Sequence, residues 1–339
     1  MKIVDSFLFS EVYETELLLL KFLLEDNGVH EWLILENAYS FQGEYKGLHA
    51  RTLIESDERF KQYSHKINYI ERELKTKPLP KHEVHDEETY KVEFWQRDLA
   101  YNYFLDNYNE EDWIIISDVD EMIDFSNVSR SKELMKRITA STGVLFFPVK
   151  RYWYDLDNEY KLLLWRSMCN KRYLLNSGKK LSDVRVDSFR YKGDKWNNVI
   201  GFEYSTCYAA EHILRKFYTS THTGFTPNDL KQSLRCNHRP VYEVRGTKPE
   251  NSELYFFEIV KLNETNSPKY VRENLAVLKT NNIDINYKQN RRIDYPELFT
   301  VSHHIRRIVK EYKTVWHKKF RYALRKLKME KIIYGSSVH

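Results

Sequence analysis

Apolar residues in this chain come in short continuous runs separated by helix-length mixed stretches, the pattern of a sheet covered on both faces. Residues 3–9 (IVDSFLF) are β-branched and aromatic and read as a strand. Residues 11–26 (EVYETELLLLKFLLED) are rich in helix formers, have an acidic first turn and are closed by Asn27-Gly28 as a C-cap pair. Trp32 to Glu36 (WLILE) is a continuously apolar strand, so the chain opens with a βαβ unit. The pattern then repeats. A strand is predicted over 65–71, a helix over 87–107 with Val92, Trp95, Leu99, Tyr103 and Phe104 near helical spacing, and a second apolar strand from Trp113 to Ser117. After a helix over 131–140, residues 144–154 and 161–175 read as longer strands added antiparallel to the sheet. Residues 75–89 form a loop, and 240–270, with Pro240, Pro249 and Pro268, an irregular stretch.

With 339 residues, 42% of them hydrophobic and only 10 Gly and 8 Pro, the chain has the size and composition of one large α/β domain or of one domain with an appendage. Cys169, Cys207 and Cys236 are odd in number and widely spaced, which supports neither a disulfide framework nor a CxxC metal site. The N-terminus has no signal-peptide h-region, and the most apolar run, Leu17 to Leu24, is broken by Lys21, so a cytoplasmic protein without a membrane span is expected. The net charge of +5 is unevenly placed. Residues 301–331 carry eleven Lys/Arg against Glu311 and Glu330, a net of +9, which leaves −4 for everything else. Nucleic-acid binding by the main body is therefore not indicated.

In that C-terminal segment Ile305, Ile308, Val309, Tyr312, Val315, Trp316, Phe320, Ala323, Leu324 and Leu327 follow i, i+3, i+4 spacing. Such a helix can pack its stripe on the catalytic domain, or lie on the inner face of a membrane with its basic faces toward anionic lipid. The expected organisation is a catalytic domain over 1–240, an irregular or helical extension over 241–300 and a basic amphipathic helix over 301–334.

The sharpest chemical feature is Asp118-Val119-Asp120 directly after the second apolar strand. Ligands of open α/β sheets bind outside the carboxyl ends of the strands, so these carboxylates face the crevice. Two carboxylates one residue apart can share a hard divalent cation that bridges to phosphate oxygens. Two chemistries use this layout. One is phosphoryl transfer through an aspartyl nucleophile, as in haloacid-dehalogenase-type phosphatases, although such domains usually begin with this strand and three strands precede it here. The other is transfer from a nucleotide sugar, with a metal on the donor diphosphate. A non-catalytic carbohydrate-binding protein on a transferase fold is a third possibility.

At these motifs the sequence resembles glycosyltransferase family 17. The opening FLFSEVYETELLLLKFLLEDNGVHEWLILENAYSFQGEYKGL is similar to the family's start, with Glu36, Phe41, Gly43 and Lys46 in the expected positions. EFWQRDLAYNYF resembles its R-E-x-x-Q-R-D helix through Gln96, Arg97 and Asp98, and IIISDVDEMI resembles its I-x-S-D-V-D-E-I-P signature without the Pro. RYWYDLDNEYKLLLW is similar to its aromatic segment, and GFEYSTCYAAEHILRKFYTSTH to its G-W-H-x-S segment, following helix and S-x-S-H motif. The chain departs from the family at Phe202-Glu203, where Trp-His is usual.

The resemblance implies a GT-A fold, a nucleotide-sugar transferase of Rossmann-like mixed sheet, acting with inversion on a UDP-sugar such as UDP-GlcNAc with Mn²⁺ or Mg²⁺. The acceptor would be a glycan or lipid-linked glycan. Asp120 would be a direct metal ligand, Asp118 would reach the metal through water or contact the ribose, and His222 would be a third ligand. Arg97 and Asp98 would orient donor-binding loops. Glu36 at the end of the second strand, and Phe41, Gly43 and Lys46 in the loop after it, would bind donor: Gly43 permits close backbone approach, Phe41 can stack on a base and Lys46 can offset diphosphate charge. Inversion also needs a general base on the acceptor hydroxyl, for which Glu203 and Glu211 are the candidates. Tyr152-Trp153-Tyr154 offers rings suited to sugar stacking.

Overall fold

Trp32, Leu33, Ile34 and Leu35 are all buried, and successive residues enter different cores. Trp32 and Ile34 pack with Phe22 of helix α1 (Thr15–Glu25), Ile54 of α2 (Ala50–Ser56) and Leu134 of α4 (Val128–Ala140). Leu33 and Leu35 pack with Ala100 and Phe104 of α3 (Asp86–Asn107), Leu174 of α5 (Lys171–Ser177) and Val184 of α6 (Leu181–Arg190). The apolar runs are continuous because helices cover both faces of the sheet. The computed structural model describes residues 1–80, 85–153, 156–160, 163–191, 193, 196–205, 207, 212, 215–216, 219–221, 223 and 257–280.

Strands β1 (Ile3–Leu8), β2 (Glu31–Asn37), β3 (Ile67–Arg72) and β4 (Trp113–Asp118) are parallel, with β1 between β2 and β4. Beyond β4 the sheet turns antiparallel through β8 (Leu164–Asn170), β6 (Val144–Trp153), β7 (Asn158–Tyr160) and β10 (Phe257–Ile259). Two short strands complete it: β5 (Glu121–Ile123) pairs antiparallel with β9 (Gly201–Ser205), which runs parallel to β6. Among the described residues this is one mixed sheet of ten strands in an α/β fold. A further helix, α7 (Lys269–Thr280), adds Val271 and Leu278 to a smaller core with Tyr152 and Phe202.

Two predicted boundaries move for local reasons. The strand expected over 161–175 ends at Asn170, whose side chain accepts a hydrogen bond from Tyr173 N at 2.8 Å and starts α5. The helix expected over 131–140 starts at Val128, because Asn127 caps the amides of Ser129 and Arg130. The irregular stretch predicted over 240–270 includes β10, and α7 begins at its end. The basic segment 301–334 lies outside the described residues.

Lys21, which interrupts the apolar helix in the sequence, is fully buried between Asp5 (2.5 Å) and Glu25 (3.2 Å). Burial opposes its charge, yet the two acids outweigh this and raise its pKa. It also donates to Ser117 Oγ at 3.1 Å and to the Glu121 carbonyl, so α1 grips the β4–β5 turn from beneath. The same Glu25 accepts from Ile123 N and Trp32 Nε1. No helix among the described residues is long and apolar enough to cross a membrane.

Candidate active site at the carboxyl end of strand β4

β4 ends at Asp118, the chain turns through Val119 and Asp120, and β5 starts at Glu121. The turn is tied by Asp118 N donating to Glu121 Oε2 at 3.1 Å. Asp118, Asp120 and Glu121 each offer an oxygen within 4.8 Å of the others. They line a cleft of about 790 Å³. One wall comes from the loops after β1 and β2 (Leu8, Ser10, Tyr13, Phe41), the other from β6, β9 and α6 (Arg151, Glu203, Phe189). The cleft opens where α/β sheets bind ligands, at the carboxyl ends of the parallel strands.

A chain of alternating charges crosses the cleft floor. Glu93 pairs with Arg97 (2.7 Å), Arg97 with Asp118 (2.6 Å), Asp118 with Arg185 (3.0 Å) and Arg185 with Glu121 (2.6 Å). Glu121 then pairs with Arg166 (2.5 Å), Arg166 with Glu203, and Glu203 with Arg151 (2.7 Å). The eight groups come from α3, β4, α6, β5, β8, β9 and β6, and four guanidiniums balance four carboxylates. Glu121 and Glu203 are register partners on β5 and β9, a like-charge pair that Arg166 neutralises by touching both. Burial alone would push the Glu121 carboxyl up; Arg166 and Arg185 overcome this and hold it below the usual carboxylate range. Arg97 also donates to the Ser117 carbonyl at 2.8 Å, fixing the last residues of β4.

Asp120 stands apart from this chain. Its Oδ2 meets Lys216 Nζ at 3.0 Å, while Oδ1 has no partner among the described residues. Burial works against the Lys216 charge, but Asp120 and Glu14 outweigh it and raise its pKa. Glu14 is a buried carboxylate in the same cleft, with Oε2 accepting from Ser10 N (2.8 Å) and Glu11 N (3.3 Å). Burial pushes its pKa up to about 8.

The donor set fits a divalent cation of the Mg²⁺ or Mn²⁺ type. All three acids supply hard oxygen, and a cation shared with phosphate groups takes only one or two carboxylates from the protein. Asp120 has an uncommitted oxygen for direct ligation. Asp118 and Glu121 present oxygens already bonded to guanidiniums, which suits an outer position.

The residues singled out in the sequence separate into two groups. Asp118, Asp120, Arg97, Phe41 and Glu203 all line the cleft. Glu36, Gly43, Lys46 and Asp98 do not, and each has a role in the scaffold. Glu36 accepts from His49 N and Ala50 N at the start of α2 and pairs with Lys46 at 2.9 Å. Gly43 has φ +84°, and a Cβ there would lie 2.5 Å from the Lys77 carbonyl oxygen, so the close approach it permits is to this chain's own backbone. Asp98 accepts from Ser182 N and Oγ, both at 2.9 Å, and ties α3 to the first turn of α6. Tyr152 is buried with its hydroxyl on the Asn266 carbonyl, a core residue. Glu211, His222 and Tyr154 lie outside the described residues.

The model of glycosyltransferase family 17 matches residues 1–188, more than half of the 339. The chain belongs to glycosyltransferase family 17. It is accordingly a transferase enzyme, and the family implies a sugar donor and an acceptor as its partners. The matched span contains the Asp118–Glu121 turn, Arg97, Arg166 and Arg185, whereas Glu203 and Lys216 lie beyond it. No curated protein matches the chain. Arg166, Arg185, Lys216 and Glu14 were not read as site residues from the sequence. Arg166, Arg185 and Lys216 have roles that depend on partners far along the chain, and Glu14 enters the site only through the cleft that the fold builds around it, so spacing carries no trace of either.

Proposed function

We propose that this family 17 enzyme transfers a hexose, GlcNAc or a close analogue, from a UDP-sugar to a glycan hydroxyl with inversion, on a GT-A-type fold and with Mn²⁺ or Mg²⁺ bound at Asp120. The observation that carries this reading is the acid turn Asp118–Asp120–Glu121, which lies within the family-matched region at the carboxyl end of β4 and faces a cleft. A bound divalent cation would neutralise charge on the departing diphosphate.

The protein's own groups account for the rest of the reaction. The nucleoside lies toward Leu8, Ser10 and Phe41, and the diphosphate beside Asp118 and Asp120. Lys216 and the guanidiniums of Arg97 and Arg185 are preorganised around the phosphate position. An acceptor oxygen attacks the anomeric carbon as the bond to the diphosphate breaks and its electron pair leaves with the phosphate. The hydroxyl proton passes to a carboxylate on the far wall. Glu203 is the proposed acceptor of that proton among the described residues, and Glu211 is the alternative. Because Glu203 faces Arg166 and Arg151, it takes the proton only by releasing one of them.

The acceptor is proposed to be a surface or lipid-linked glycan made on the cytosolic side, with the basic 301–334 segment meeting anionic lipid. A thermal-shift screen of sugar nucleotides with and without Mn²⁺, followed by product analysis with the nucleotide that binds, tests the function. A ligand at 100 times its Kd adds about 2.7 kcal/mol of stability. Stabilisation by no sugar nucleotide under either condition overturns it.

A further inference from the structure

Helix α6 carries an aromatic side chain that neither the fold nor the donor site uses. Arg185, Val186 and Phe189 line the cleft together. Phe189 is 63% exposed, within a cleft otherwise floored by ion pairs. A single exposed aromatic on a convex surface needs no explanation. This one sits in the wall of the catalytic cleft, with the guanidiniums of Arg185 and Arg166 at 5.4 and 6.0 Å from its ring centroid.

The helix that carries it is clamped at both ends without its help. Asp98 holds Ser182 in the first turn. Just past the last turn, Tyr191 packs against Phe146 (4.8 Å) and edge-on to Trp165 (5.0 Å). Phe189 is thus rigidly displayed and contributes little burial to the core.

We propose that Phe189 is the stacking platform for the pyranose ring of the acceptor, which makes it a specificity-determining residue of the transfer. A pyranose presents a face of C–H groups with partial positive charge and a rim of hydroxyls. An aromatic face carries the complementary negative quadrupole. In the same cleft, the Arg151–Glu203 pair offers the kinds of donor and acceptor a hydroxyl rim requires.

The sheet order separates this subsite from the nucleotide. Leu8 ends β1, and Ser10 and Phe41 follow β1 and β2, which lie on one side of β4; Arg166, beneath Phe189, belongs to β8 on the other. With the diphosphate at the end of β4, the ring on the β8 side stacks the sugar that receives the transfer. The assignment rests on the sugar-nucleotide reading above, and its test keeps the two apart.

Saturation-transfer NMR on the full chain with methyl β-D-glucopyranoside, methyl β-D-galactopyranoside and methyl α-D-mannopyranoside measures the platform. Thermal shifts with UDP, UDP-glucose and UDP-GlcNAc in Mn²⁺ measure the donor side. Phe189→Ala should reduce saturation transfer to the best pyranoside at least about fivefold and Phe189→Trp should restore it, with all nucleotide shifts unchanged. Undiminished transfer to Phe189→Ala, or no pyranoside binding by the wild type, overturns the proposal. So does a Phe189→Ala protein that loses the UDP-sugar shift but keeps the UDP shift, since the ring would then hold the donor's own sugar. Phe189-dependent pyranoside binding without any nucleotide shift in the wild type supports the platform and refutes the sugar-nucleotide reading alone.

Discussion

Arg185 holds Glu121 through both carboxylate oxygens, at 2.6 and 2.7 Å, with both side chains buried. The same guanidinium reaches Asp118 at 3.0 Å, so one side chain of α6 sets the spacing of two acids in the β4–β5 turn. A planar fork can do this and a point charge cannot. Arg185→Met should cost about 3–5 kcal/mol, because it strands buried carboxylates. Arg185→Lys should recover part of that stability but little of the transfer rate. Urea denaturation and initial rates, measured side by side, check the split, and a Lys variant with near-normal turnover would show that the bidentate geometry is dispensable.

Asp120 is the acid of the turn with an oxygen left over, so as the proposed metal ligand its loss should affect chemistry more than folding. Asp120→Asn keeps the volume and can still accept from Lys216. It should lower kcat by at least about a hundredfold, equivalent to about 2.7 kcal/mol of transition-state stabilisation. Thermal stability without metal should stay close to wild type, and stabilisation by Mn²⁺ should disappear. Retention of the Mn²⁺ shift in the variant would move the metal elsewhere in the cleft.

Much of the parallel half was legible because its strands are buried on both faces, and double burial is written as continuous apolar runs such as WLILE and WIIIS. Asp118 and Asp120 were legible because they close such a run. What spacing could not convey was pairing. Glu36 and Asp98 look like free acids in the sequence, yet one caps α2 and the other α6. Lys46 stands ready for a phosphate in the sequence and is bound to Glu36 in the structure. Arg166 and Arg185 give no sign in the sequence that each touches the acid turn, since a guanidinium on β8 and another on α6 meet Glu121 only once the sheet has closed.

Lys21 offers a test of the buried support beneath the site. Its ammonium is fully buried between Asp5 and Glu25, and Glu25 is itself pushed well above the carboxylate range by burial and by Asp5. Lys21→Met retains the length of the chain and removes the charge, leaving the acids without their cation. The expected cost is about 3–5 kcal/mol in urea denaturation. Adding Asp5→Asn to Lys21→Met should return part of that loss, since it removes one of the stranded charges. A cost below about 1 kcal/mol for the single variant would mean that the acids simply protonate and that the lysine is not what holds the turn.

Glu14 predicts a pH dependence of stability with a definite sign. Its carboxyl is raised from 4.5 to about 8, first by burial, with Lys216 opposing and Asp120 adding to the rise. The folded protein therefore binds more protons at this group than the unfolded chain between about pH 4.5 and 8. Stability contributed by the protonated carboxyl is present in full below the unfolded value and is lost as pH rises through the folded one. Glu14→Gln removes that loss, because the amide stays neutral and its oxygen can still accept from Ser10 N and Glu11 N, which both bond a single oxygen in the native carboxyl. The melting temperature of the variant relative to wild type should thus be near level at pH 5, climb up to about pH 8 and flatten above it. A difference that stays flat across this range, or that falls, would show that Glu14 is ionised in the folded protein at neutral pH and that Lys216 outweighs burial.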